Sequence, residues 1–156
     1  MGGPGITVQQ WPDTQFPNRT HWSLFGFVTT AAEALMSMDI ATGFAAPATA
    51  QTSYTVPTGR RLRITSMNIV SAGAAAIANV NVRFRTGATL AGNTFIKSEV
   101  QAGINGAAVN GGVNLSVPIP DHIEIPGTQQ FTLTGQAGTA QLIRCWLTGF
   151  LYDVQS

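Results

Sequence analysis

Four arginines of this chain fall in pairs two residues apart, Arg61 with Arg63 and Arg83 with Arg85. On a β-strand residues i and i+2 project from one face, so each pair presents two guanidinium groups side by side. A guanidinium is a planar fork suited to carboxylates and phosphates. If the two strands are neighbours, all four groups share one patch. Like charges across a ladder repel, so acceptors are required, and Glu99, Glu124 and Asp153 are the candidates within the chain. Three readings stay open for the patch: solvation or pairing within the chain, a subunit contact, and a phosphate or glycan site.

Other chemistry-bearing residues form no recognisable constellation. His21 and His122 are far apart and lie in no H-x-x-H, HExxH or Cys/His spacing, so no zinc site is expected. His122 reads as a turn-flanking surface residue. The seven acidic residues are scattered, with Asp121 and Glu124 the closest pair, and a turn beside a strand does not set two carboxylates across a cleft. The glycines of "GATLAGNT" and "VNGGVN" lie between strand-like runs, where they serve turns. Neither a nucleophile elbow nor a phosphate loop is present in the sequence. Cys145, the single cysteine, sits in the apolar run "LIRCWLTGFLY" and reads as a buried inert thiol, compatible with folding in a reducing cytoplasm. The expectation is a protein without catalysis, cofactor or metal.

Composition points to assembly. Charged residues make up 10% of 156 residues and the net charge is +1, against a usual charged share of about 25%. So few charges suit a surface largely covered by neighbours, where charge would have to be desolvated. The small net charge provides no long-range field for polyanions, so direct nucleic-acid binding is not expected. The start "MGGPGITVQQWPD" has neither a basic nor an apolar signal region, and no run reaches the ~18 apolar residues of a membrane span. The glycosylation-type triplet Asn18-Arg19-Thr20 is therefore read as accidental.

The elements that must position these residues are mostly strands. Residues 1–50 read as an irregular N-terminal arm and linker. Within them "TTAAEALMSM", residues 29–38, has helix-forming composition, and Thr30 with Glu33 has capping-box spacing, so a short helix is expected there. Trp11, Phe16, Trp22, Leu24, Phe25 and Phe27 are surplus apolar groups that must bury in the domain or on a neighbour. Residues 51–156 read as short strands separated by turns, about eight in all. In "ANVNVRFRT" Val80, Val82 and Phe84 alternate with Asn79, Asn81, Arg83 and Arg85. In "RRLRITSMNIVSA" Leu62 and Ile64 have one parity and Met67 and Ile69 the other, which a bulge near Thr65-Ser66 reconciles. "VNLSVPI" and "HIEI" read as separate strands around Pro120-Asp121. The last run is apolar on both parities, with Leu142 and Trp146 on one and Ile143, Cys145 and Leu147 on the other. It is therefore expected to be covered on both faces, by the N-terminal aromatics or by another subunit. With no βαβ rhythm, two packed antiparallel sheets follow: an all-β sandwich.

The stretches "YTVPTGRRLRITSMNIVSAG", "VNVRFR", "LSVPIPDHIEIPGTQQFTLTG" and "LTGFLYDV" resemble small jelly-roll structural proteins of tailed bacteriophages over residues 52–154. The resemblance implies a jelly-roll-like sandwich and a virion part made in the host cytoplasm, often trimeric, with no cofactor. Its expected partners are copies of itself and the major capsid protein or other virion proteins. A capsid decoration, or cement, protein is the favoured function. The alternative is a neck, tail or fibre component, including a glycan-binding head, although the loop "QAGINGAAVNGG" offers no aromatic platform. Interfaces concentrate energy in aromatic and arginine anchors. The expected interface residues are accordingly Trp11, Trp22, Phe25, Arg61, Arg63, Arg83, Arg85 and Trp146.

Overall fold

The computed structural model describes residues 16–72, 78–90, 96–104 and 112–154. Eleven strands are present among them: β1 (Thr20–Thr30), β2 (Ala34–Leu35), β3 (Ser37–Thr42), β4 (Ala48–Gln51), β5 (Tyr54–Thr55), β6 (Arg60–Ala72), β7 (Ala78–Thr86), β8 (Ile96–Ile104), β9 (Gly112–Pro126), β10 (Gln130–Ala137) and β11 (Gln141–Asp153). They form two antiparallel sheets. Sheet A runs β4-β3-β1-β11-β6-β9, and sheet B runs β2-β10-β7-β8 with β5 also paired to β10. Four of the pairings are nested along the chain, β1 with β11, β2 with β10, β6 with β9 and β7 with β8, and β11 with β6 and β10 with β7 join them into the two sheets.

Period-two alternation explains the layering. Leu62, Ile64, Met67 and Ile69 from sheet A meet Val80, Val82, Phe84, Phe131 and Leu133 from sheet B, all fully buried or nearly so. Phe84 and Phe131 stack with centroids 4.4 Å apart, and Trp22 of β1 reaches across to Phe131 at 6.1 Å. Aromatic pairs of this kind add about 0.5–1.5 kcal/mol each beyond burial.

The bulge lies at Thr65. Ile64 faces Gly149 and Ser66 faces Thr148, so Thr65 is the extra residue against β11. This shift lets both parities of β6 point inward along its length. On the other side Ile64 faces Ile123 and Ser66 faces Pro118. Residues 119–122 therefore stand opposite Thr65, and the two strands expected around Pro120-Asp121 are one irregular strand. At the bulge the backbones of β6 and β11 approach so closely that a Cβ on Gly149 would lie 2.1 Å from the Arg63 carbonyl oxygen.

The short helix expected over residues 29–38 is absent. Thr29 and Thr30 end β1, Ala34–Leu35 is β2 and Ser37 opens β3. Met36, Met38 and Ile40 are buried at a spacing of two, a strand's period. Glu33 does not turn back to cap Thr30; its carboxylate is taken by side chains of sheet B. The chain here crosses from sheet A to sheet B and returns, with the Met36 N–H donating to the Leu133 carbonyl at 2.9 Å.

The segment from residue 20 onward is likewise part of the sandwich rather than an arm upon it. β1 pairs with β11 over eleven residues and with β3 on its other edge. It carries Trp22 and Leu24 into the core.

Candidate functional site

The two arginine pairs point outward as their strand parity requires, but from opposite sheets. β6 belongs to sheet A and β7 to sheet B. The four groups therefore form no common patch, and each pair has its own carboxylate.

On sheet B, Arg85 grips Glu33 with a fork, Nε to Oε1 at 2.7 Å and Nη2 to Oε2 at 3.0 Å. Arg83 Nη1 lies 3.0 Å from Oε2, and the Thr134 hydroxyl donates to Oε1 at 2.6 Å. Arg83 also donates to the Gln136 side-chain oxygen at 2.8 Å. Burial works to raise the Glu33 pKa. The hydrogen bonds from Arg85 and Thr134 and the two arginine charges outweigh it and hold the group below its ordinary value.

On sheet A, Arg61 and Arg63 each approach Glu124 at 3.5 Å, and the Tyr152 hydroxyl donates to Glu124 at 2.9 Å. Burial first, and then the Glu124 contact, push the Tyr152 pKa up. Phe16 packs edge-on against Phe150 and Tyr152, both at 5.1 Å. Arg63 lies over the Phe16 ring and Arg19 over Phe150. This end of the β11 outer face is thus covered from within the chain. Asp153 pairs with Arg60 at 3.1 Å.

Further along sheet A the outer face is aromatic and open. Phe25 stands opposite Trp146 on one side and Asp39 on the other; Phe27 stands opposite Arg144 and Ser37. Trp146 and Arg144 in turn face Asn68 and Val70 of β6. Phe25 and Trp146 have centroids 4.9 Å apart, and Phe25 and Phe27 stack at 5.8 Å. Phe27 remains 39% and Trp146 38% exposed. The face consists of two cross-strand rows, Asp39-Phe25-Trp146-Asn68 and Ser37-Phe27-Arg144-Val70, so that Arg144 stands among the apolar groups between Phe27 and Val70.

The expected interface residues therefore separate. Phe25 and Trp146 come together on this face, joined by Phe27, which sequence reasoning left among the undifferentiated aromatics. Trp22 is no surface anchor: it is fully buried beside Tyr54 and Phe131. Arg61, Arg63, Arg83 and Arg85 are engaged by Glu124 and Glu33. Trp11, the His122 side chain and the Glu99 side chain lie outside the described residues.

As to chemistry, Cys145 is fully buried and burial pushes its thiol pKa up to about 12, so it stays protonated. Among the described residues no group of three His, Cys, Asp or Glu side chains is placed to hold a metal ion, and no helix is long and apolar enough to cross a membrane. What the open face of sheet A can do is bury apolar area against another surface. No protein-family model and no curated protein matches the chain.

Proposed function

We propose that this chain is a structural subunit of a tailed-phage particle, of the capsid decoration type, acting through protein contacts without catalysis. The observation that carries the reading is the open aromatic face of Phe25, Phe27 and Trp146 on a molecule with so little charge. Exposed aromatic centres edged by polar groups mark contact surfaces. The nested pairing of β1 with β11, β2 with β10, β6 with β9 and β7 with β8 supports a jelly roll, which is one long antiparallel ribbon rolled into two sheets. That architecture agrees with the resemblance carried by residues 52–154. Within the particle the neighbours are the major capsid protein and further copies of the chain. The test is to add purified protein to particles lacking it and image them: regular, saturable extra density on the shell is expected, and its absence rejects the reading.

A glycan-binding head of a tail fibre is the second reading. It is favoured by the row Asp39, Phe25, Trp146, Asn68 across four adjacent strands, since sugar sites combine an aromatic platform with flanking amide and carboxylate groups. Titration with host-surface oligosaccharides while following tryptophan fluorescence separates the two: a saturable change in fluorescence favours the fibre head.

A further inference from the structure

We propose that residues 31–36 form a releasable cover over the outer edge of β10, clasped shut by the Glu33 carboxylate, and that this cover opens while the rest of the sandwich stays folded. The chain leaves sheet A after Thr30, crosses to sheet B and is back in sheet A by Ser37. On sheet B it pairs with β10 at two positions, Leu35 with Thr134 and Ala34 with Gly135. Two backbone hydrogen bonds flank them: the Met36 N–H donates to the Leu133 carbonyl at 2.9 Å, and the Ala137 N–H donates to the Ala31 carbonyl at 3.2 Å. Of the six residues Met36 alone is buried, whereas Ala31 and Ala32 are exposed and Glu33, Ala34 and Leu35 half-buried.

Global unfolding surrenders the whole hydrophobic core; lifting this segment withdraws one of its side chains. Segments with few buried contacts open at a fraction of the global cost. Glu33 is the one polar side chain in Ala31-Ala32-Glu33-Ala34-Leu35-Met36, and it reaches over β10 to Thr134 and to Arg83 and Arg85 of β7. The side-chain hold on sheet B thus concentrates in two residues, an apolar plug at Met36 and a charged clasp at Glu33. With the segment lifted, the Leu133 carbonyl and the Ala137 N–H lose their partners, while β5 still caps the far end of β10 at Gln130 and Phe131. A sheet edge with unpaired N–H and C=O groups can receive another strand, so the closed cover withholds residues 133–137 from strand addition and the open one offers them.

Residue-resolved amide hydrogen exchange of the full chain near neutral pH tests this, with the Met36 and Ala137 amides reporting on the cover and those of Met67–Val70, in a strand paired on both edges, reporting on the body. Unfolding responds to urea in proportion to the surface it exposes. In wild type, low urea is therefore expected to speed exchange at Met67–Val70 while leaving Met36 and Ala137 nearly unchanged. Ile125→Val, a core change on β9 at the far edge of sheet A, is expected to speed the body amides several-fold and to leave the two cover amides as they were. Glu33→Gln should speed Met36 and Ala137 by about tenfold or more, and Arg85→Lys, which keeps the charge but loses the fork, should act in the same direction. If the cover amides follow the body amides in urea and in Ile125→Val, the segment opens only with the whole domain and the proposal is overturned, a result that wild type and Ile125→Val give without any Glu33 variant. Cover amides indifferent to both Glu33→Gln and Arg85→Lys overturn the clasp.

Discussion

Glu33 and Glu124 each serve two arginines, and the two carboxylates differ in strength for geometric reasons. Glu33 receives a fork from Arg85 at 2.7 and 3.0 Å, with Arg83 and Thr134 added, in a half-buried setting. Hydrogen bonds to charged groups contribute about 1.5–3 kcal/mol. Glu124 holds Arg61 and Arg63 at 3.5 Å, with Arg61 exposed, and exposed pairs contribute about 0–1 kcal/mol. Glu33→Gln is therefore expected to destabilise the fold by about 1–3 kcal/mol, and Glu124→Gln by less. The folded protein holds the Glu33 pKa below its ordinary 4.5, so its contribution is complete above that value and is lost as pH falls through the lower folded value. Thermal melts taken from about pH 7 to about pH 3 should show wild type losing stability in the acid range and Glu33→Gln losing less of it; equal slopes would exclude this role. The outward parity of all four arginines was legible from period-two alternation, and Glu124 from its being among few acids, whereas Asp153 pairs with Arg60 and with none of the four. Glu33 was not, because its neighbours Ala31, Ala32, Ala34 and Leu35 have the composition of a helix.

At the scale of the element, the bulge at Thr65 decides how β6 and β11 meet. A Cβ on Gly149 would overlap the Arg63 backbone oxygen at 2.1 Å, and backbone cannot swing aside. Gly149→Ala is expected to cost several kcal/mol or to yield insoluble protein. Gly59, at φ +76 with nothing within 4 Å of where a Cβ would sit, provides the control: Gly59→Ala should cost only about 1–2 kcal/mol for the left-handed backbone. Denaturant melts of the two compare them directly, and similar losses would show that the close approach is relieved elsewhere. Removing residues 1–50 takes away β1 and β3 with Trp22, Leu24, Met38 and Ile40 of the core. The remainder is expected to lack a cooperative melt, and a sharp transition in circular dichroism would contradict that. The bulge was legible because Leu62 and Ile64 change parity to Met67 and Ile69 within one run. β1 was not, because Phe25 and Phe27 make its outer face as apolar as the Trp22 and Leu24 face and erase the alternation. The Met36, Met38 and Ile40 alternation was overridden by helix propensity, which sheet pairing outweighs.

Among the described residues Arg60, Arg61, Arg63, Arg83 and Arg85 are held by Asp153, Glu124 and Glu33, and one broad face of sheet A is aromatic. The two-sheet architecture could be read from strand periodicity. The aromatic face could not, since it joins residues of β1 and β11 more than a hundred positions apart, and only their pairing brings Phe25 and Phe27 beside Trp146. That face is the centre of the functional account. The most direct measurement is the affinity of wild type and of the Phe27→Thr, Trp146→Thr double variant for particles lacking this protein, with thermal melts alongside. Both positions are surface strand sites where threonine is a good strand former, so the double variant is expected to melt as a folded protein, within about 2 kcal/mol of wild type. Its binding should fall by more than a hundredfold, at about 2 kcal/mol or more for each anchor. A folded double variant that binds particles as tightly as wild type would contradict the account.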